Sequence, residues 1–196
     1  AATEEDMKTS WPNINYIPIS LVVNANKQPI KTRIVYDASA KYHHTSLNDH
    51  LLMGPNLLVE MLKPLMRMRM NRIAFTADVK SMFHRIKISP RDQQCQRIMW
   101  RESPEQPMQI FIQQVMLFGP NCSPFCSQFV KNKIADKFID KFSDAANALK
   151  SFTYMDDLLT SEQTVTKAVE VASQCITILD TINWDLIGFQ SNSSEY

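Results

Sequence analysis

Glycine is scarce in this chain, with three in 196 residues, Gly54, Gly119 and Gly188, where ordinary usage is about 7%. No G-x-G-x-x-G turn or Walker A loop can be written, which removes Rossmann and P-loop nucleotide chemistry. Cysteine is sparse as well. Of Cys95, Cys122, Cys126 and Cys175, only Cys122 and Cys126 stand close, without a C-x-x-C spacing or a neighbouring histidine, so zinc ligation is not expected. The adjacent His43 and His44 diverge and read as a solvated turn rather than a metal pair. All four thiols are expected to be reduced and buried, which places the chain inside the cell. No apolar run approaches the roughly 18 to 20 residues of a membrane helix. The polar, acidic opening from Ala1 to Ser10 is no signal peptide. It also lacks an initiator Met, as expected of a piece cut from something longer.

What is present is an ordinary globular composition: 44% hydrophobic and 21% charged residues, a mean hydropathy of −0.24 and a mass of 22.6 kDa. A chain of this size builds a core without staples, as one domain or as two small lobes. Net charge is only +1, yet residues 63–101 hold ten Lys or Arg against two Asp, a local excess of +8. Such a stretch is a candidate phosphate-facing surface, although a solvated basic face is the commoner meaning.

Neither repeats nor Ser/Gly linkers divide the chain, which reads as one α+β unit. Apolar, β-branched runs at Ile17–Val23 and Ile30–Tyr36, around the turn-like Asn24–Pro29, predict a hairpin. Gly54 and Pro55 open a stretch in which Leu58, Met61, Leu62 and Leu65 recur at helical spacing, predicting a helix to about Met70 with that stripe in the core. Strands are expected over Ile73–Asp78, Arg97–Trp100 and Ile110–Met116, with a helical turn at Ser81–Arg85. Ser123 and Pro124 start a helix, the hydroxyl as N-cap, with Phe125, Phe129, Ile134 and Phe138 inward. A strand–turn–strand follows over Ser151–Met155 and Leu158–Thr160. The last predicted element is a helix over Glu162–Asp180 that turns Val165, Ala168, Val169, Ala172, Ile176 and Leu179 inward.

Tyr154-Met155-Asp156-Asp157 lies at the bend of that strand–turn–strand, where a tight turn favours Asn-Gly or Asp-Gly and here receives paired carboxylates. Adjacent like charges cost stability unless a cation compensates them. A third carboxylate, Asp78, ends the apolar strand from Ile73. Three oxygen-only ligands at adjacent strand ends suit Mg²⁺, which prefers carboxylates, waters and substrate phosphates. Two such ions about 3.5 to 4 Å apart can activate a hydroxyl and stabilise a leaving pyrophosphate. A lone Asp-Asp pair is usually a solvated turn; the order and spacing of its neighbours give it weight.

Those neighbours are Tyr16-Ile17-Pro18, Arg33-Ile34-Val35-Tyr36-Asp37-Ala38-Ser39-Ala40-Lys41, Ser46-Leu47-Asn48-Asp49, Gly54-Pro55, Ala74-Phe75-Thr76-Ala77-Asp78-Val79, Met82-Phe83, Gln96–Arg101, Phe118-Gly119 and Ser123-Pro124-Phe125. With the Tyr-Met-Asp-Asp run, they make the chain resemble a reverse transcriptase over residues 16–192, and within that group the BEL/Pao class of long-terminal-repeat retrotransposons. The resemblance implies an α+β right-hand polymerase whose antiparallel palm sheet packs on helices. Fingers would occupy residues 1–53 and 89–123 and palm 54–88 and 124–196, with thumb, protease, ribonuclease H and integrase elsewhere on a pol polyprotein.

The implied activity is RNA-directed DNA polymerase: the primer 3′-hydroxyl attacks the α-phosphate of a dNTP between two Mg²⁺ ions, Mn²⁺ being the alternative. Asp78, Asp156 and Asp157 match the catalytic and metal-holding carboxylates, with the Val79 carbonyl as a further ligand. Phe83, five residues beyond Asp78, matches the aromatic gate that leaves no room for a 2′-hydroxyl; its bland alternative is a core aromatic. Arg33 and Lys31 match the cations that grip the triphosphate. Gly119 to Ser123 match the loop against the nascent base pair, where a small residue permits close backbone approach. Tyr154 and Met155 would meet the primer end. The implied partners are an RNA or DNA template with its primer, dNTPs and the rest of the polyprotein, with no membrane, in a cytoplasmic virus-like particle and in the nucleus.

Two positions depart from the family pattern. Phe118 stands where many reverse transcriptases have glutamine, which fits the Pao class. Gly188 stands where the family segment around Trp184–Asn192 has a lysine that could protonate the leaving pyrophosphate. That loss favours a rival reading, a decayed or domesticated copy that binds nucleic acid or protein without turnover. A third reading, a nucleotide cyclase or other palm-domain nucleotidyltransferase, leaves the Ser-Pro helix start and the Arg33–Asp37 strand without a role.

Overall fold

The computed structural model describes residues 2, 13–24 and 30–195. The predicted turn at 25–29 and the opening residues 3–10 lie outside them. Along the chain come β1 (Ile19–Asn24), β2 (Lys31–Tyr36), α1 (Leu62–Met70), β3 (Ile73–Val79), α2 (Pro90–Gln93), β4 (Arg97–Trp100) and β5 (Gln109–Ile112). They are followed by α3 (Ser123–Lys137), α4 (Ser143–Ser151), β6 (Thr153–Tyr154), β7 (Asp157–Glu162), α5 (Val165–Asp180) and β8 (Leu186–Ser191). The fold is α+β, as expected, with antiparallel strand pairing in every named sheet. The chain divides into two compact units, residues 1–53 with 86–123, and 54–85 with 124–196.

In the first unit β1 pairs with β2, from Ile19 opposite Tyr36 to Asn24 opposite Lys31, and β4 pairs with β5. Asp37 N to Pro18 O at 2.9 Å extends the hairpin at its open end, and Ile17 N to Arg97 O at 2.8 Å joins it to β4. Arg97 departs from the basic-surface reading. It is 2% exposed, and its guanidinium donates to Gln94 Oε1 at 2.5 and 2.9 Å, because a buried cation needs a satisfied fork before anything else. The strand expected over Ile110–Met116 is shorter, ending at Ile112, and Val115 makes only an isolated bridge to Lys87.

The second unit is built on a four-stranded sheet in the order β6-β7-β3-β8. The central strand β3 alternates strictly, burying Ile73, Phe75, Ala77 and Val79 and leaving Asp78 half-buried on the other face. Helix α5, capped by the Thr164 hydroxyl accepting from Lys167 N at 3.2 Å, covers the core with Ala168, Val171, Ala172, Cys175, Ile178 and Leu179. The expected stripe is rotated: Val169 is exposed, one residue off the i, i+3, i+4 series from Ala168 to Leu179 that is buried. All four cysteines are free thiols, as expected, but only Cys175 is buried, with Cys95, Cys122 and Cys126 half-buried.

Three further expectations are corrected. The helix predicted from Gly54 begins at Leu62, since Asn56 Oδ1 accepts from Leu58 N at 3.0 Å and closes a local turn, and Pro64 suits only a first helical turn. Its Met61, Leu62 and Leu65 are exposed rather than core. Helix α4 was not foreseen, and it occupies part of the strand expected from Ser151; its buried Ala145, Ala146, Ala148 and Leu149 are too small a signal for a period to stand out. Finally, the Ser123 hydroxyl donates to Leu117 O at 2.7 Å, and the aromatic face expected to turn inward on α3 is not the inward one. The inward face of α3 carries Ser127, Gln128, Lys131, Ile134 and Ala135, whereas Phe129 is exposed.

Candidate active site

The strand pairing of the second unit draws the three aspartates together. In β7 and β3, Asp157 lies directly opposite Asp78, and β6 returns to β7 through Tyr154 opposite Asp157, leaving Met155 and Asp156 as a two-residue turn. A tight hairpin turn needs a residue with positive φ, and Met155 supplies it at φ 51° although it has a side chain. The main chain fixes the other side, with Val79 N donating to Asp156 O at 2.9 Å. As a result one carboxylate oxygen from each of Asp78, Asp156 and Asp157 lies within 4.8 Å of the others, with Asp78 and Asp156 half-buried and Asp157 exposed.

Three carboxylates so close repel one another. Partial burial, and then the charge of Asp156, push the Asp157 carboxyl above its usual range. The donors are all hard oxygens with no His or Cys, the set that suits Mg²⁺ or another oxygen-seeking divalent ion. Among the described residues this is the one group of acidic, His or Cys side chains placed to hold a metal.

Gly188 lies next to this cluster on β8. Ile187 faces Asp78 and Gln190 faces Thr76, so Gly188 and Phe189 together oppose Ala77 and make a bulge. The glycine takes φ 67°, and a Cβ there would meet nothing within 4 Å, so the backbone conformation rather than space accounts for it.

Two polar networks, one in each unit, carry no sequence expectation. Behind the turn, Gln128 Nε2 donates to Met155 O at 3.0 Å, and the fully buried Lys131 donates to Gln128 Oε1 at 2.7 Å and to Thr153 O at 3.3 Å. Burial pushes the Lys131 ammonium down to about 7. In the first unit, Asn48 Nδ2 reaches Ser39 Oγ at 2.9 Å and Gly119 O at 3.2 Å while Asn48 Oδ1 accepts from Asn121 N at 2.9 Å. A buried lysine inside an apparently amphipathic helix, and an asparagine in a quoted motif, were the only signals for either.

The remaining expected residues fall as follows. Gly119 packs so closely on the first unit's main chain, at φ 115°, that a Cβ would meet Tyr36 O at 2.3 Å, and Ser123 is buried. Arg33 is exposed on β2 opposite Val22, and the Lys31 main chain opens the same strand opposite Asn24. In the second unit, Phe83 is 6% exposed in a short 3-10 turn, Val79 is buried, and Tyr154 and Met155 are half-buried. Of the basic run, Arg67 pairs with Glu162 at 2.9 Å and Arg85 with Asp185 at 2.5 Å, so both already have carboxylate partners.

A family model described as "Reverse transcriptase (RNA-dependent DNA polymerase)" matches residues 9–186. No curated protein matches the chain. Among solved structures, the prototype foamy virus protease–reverse transcriptase CSH mutant is similar with a TM-score of 0.64 and 14% identity, over 87% of this chain and 20% of that one. The foamy viral protease–reverse transcriptase in complex with an RNA/DNA hybrid is similar with a TM-score of 0.62 and 16% identity, over 89% of this chain and 20% of that one. This chain spans about a fifth of the length of those proteins, and at such identities the likeness is one of fold. No helix among the described residues is long and apolar enough to cross a membrane.

Proposed function

The chain belongs to the reverse transcriptase (RNA-dependent DNA polymerase) family, and from that premise we propose that it is the fingers and palm part of an RNA-directed DNA polymerase that extends a primer on an RNA or DNA template. The observation that carries this reading is the meeting of Asp78, Asp156 and Asp157 within 4.8 Å at neighbouring strand ends. We assign the first unit to the fingers and the second to the palm, and, from the motifs it shares, place the parent polyprotein in the BEL/Pao class.

Asp78, Asp156 and Asp157, with the Val79 carbonyl, would hold two Mg²⁺ ions, which when bound lower the barrier for a primer hydroxyl and neutralise departing pyrophosphate. The protein's own part is positioning and charge. The raised Asp157 carboxyl and the crowding of its neighbours favour a bound cation over an empty cluster. Arg33, joined by Lys31, would grip the triphosphate of the dNTP. Gly119, whose loop has no room for a side chain, and Ser123 would line the nascent pair, and Tyr154 and Met155 the primer terminus. Phe83, buried at 6% exposure beyond the Asp78 strand, would be the aromatic gate beside the sugar.

The test is primer extension on poly-rA with oligo-dT, dTTP and Mg²⁺, using this chain and a longer one, each with Asp156→Asn. Extension reduced at least about 10³-fold by the substitution is expected. Gly188, which leaves the bulge without the family's lysine, favours a second reading: a reverse-transcriptase-like module that binds without turnover. Salt-dependent primer–template binding by an inactive longer chain would select it.

A further inference from the structure

Lys131 is the one lysine with no exposed surface among the described residues. Burying an ammonium is costly, so its place on the inner face of α3 needs compensation. Its partners supply it. Nζ donates at 2.7 Å to Gln128 Oε1 and at 3.3 Å to Thr153 O, and both partners are neutral acceptors.

The ammonium form of Lys131 has no acceptor, so while it is charged the oxygen of the Gln128 carboxamide faces it, and Met155 O, which only accepts, selects the same orientation in either state. The amide nitrogen then faces the other way, where it donates to Met155 O at 3.0 Å. A flipped amide would set its oxygen against that carbonyl and its nitrogen against the lysine, losing both bonds. The two carbonyls thus held from beneath, Thr153 O and Met155 O, bracket the entry to the Asp156-Asp157 turn. Met155 is the residue that needs support, because a side chain at φ 51° is strained. With its amine pushed down to about 7, Lys131 still keeps two N–H donors when neutral, so the clamp holds in either state.

We propose that Lys131 is a positioning residue for the aspartate turn: it fixes the orientation of the Gln128 carboxamide, which holds Met155 in its left-handed conformation and so sets Asp156 and Asp157 against Asp78. The kinetic part of this inference rests on the polymerase reading above, and the structural part does not.

The experiment follows the Met155 methyl resonance, in ¹³C-methyl-methionine protein assigned by Met155→Leu, in Lys131→Met, Gln128→Met, their double variant, Gln128→Glu and a Cys175→Ala core control. The resonance is expected to move in every Lys131 and Gln128 variant and to stay in the control. Gln128→Glu is the safeguard for folding, since it keeps an acceptor for Lys131 and removes only the donor to Met155 O. In primer extension, Lys131→Met and Gln128→Met are each expected to lower kcat about tenfold with KM for primer–template unchanged, and the double variant to fall no further than the worse single one. An unmoved Met155 resonance in Lys131→Met or Gln128→Glu, or single losses that multiply in the double variant, would overturn the proposal. If the parent chain extends no primer, the polymerase reading falls and the methyl resonance alone decides.

Discussion

Two helices of the same unit, α3 and α5, are similar in length and opposite in purpose. Helix α5 turns Ala168, Val171, Ala172, Cys175, Ile178 and Leu179 into the core, an aliphatic stripe whose only task is burial. Helix α3 turns Ser127, Gln128 and Lys131 inward beside Ile134 and Ala135, and its polar groups bond to the strand that leads into the turn and to Met155, the residue before Asp156 and Asp157. One helix is held by area removed from water, the other partly by satisfied hydrogen bonds. The first is expected to lose atoms without moving a carboxylate, and the second is not.

The largest effect that sharpens this contrast is Leu179→Ala in α5. It is expected to cost about 3 kcal/mol in chemical denaturation, while extension per folded molecule stays within about twofold. If specific activity fell with stability, the separation of the two helices would be wrong.

The next effect is in pH dependence, because each helix buries one titratable group. The folded Lys131 amine, pushed down to about 7, binds a proton more weakly than in the unfolded chain, where it titrates as an ordinary lysine. The unfolded state therefore holds more protons above pH 7, and stability rises with pH there, by about 2 kcal/mol between pH 7 and 9. Cys175 acts with the opposite sign. Burial pushes its thiol up to about 12, so above pH 9 the unfolded chain loses a proton that the folded one keeps, and stability falls. Denaturation midpoints from pH 7 to 10 are expected to lose the rise in Lys131→Met and the later fall in Cys175→Ala. A Lys131→Met profile that keeps the rise would show that the cation is not the buried group responsible.

The smallest effect is at the start of α5, where Thr164→Ala removes the acceptor for Lys167 N and is expected to cost about 1 kcal/mol. Activity per folded molecule should not change.

How much was legible follows the same division. Strand β3 could be read because its apolar residues alternate without interruption, and the paired aspartates could be placed at a bend because apolar runs flank them. Helix α5 could be read, though not its rotation, because several hydrophobic faces differ by one small residue. Helix α4 could not, since Ala145, Ala146 and Ala148 bury as readily as they solvate. The stripe of Met61, Leu62 and Leu65 misled for the converse reason: helical spacing reports that a face is apolar, not that anything covers it.

By itself the sequence determined the family, through the order of its motifs, the α+β class, through its alternating and helical periods, and the three aspartates as candidates, through two carboxylates in a turn that disfavours them. Only the tertiary structure decided that Asp78 stands opposite Asp157, that Arg97 is buried on Gln94, and that Lys131 lies beneath the Met155 turn. Such facts depend on strand register and on which face of a helix meets the sheet. Both are set by contacts between residues far apart in the chain, which no local pattern of residue types records.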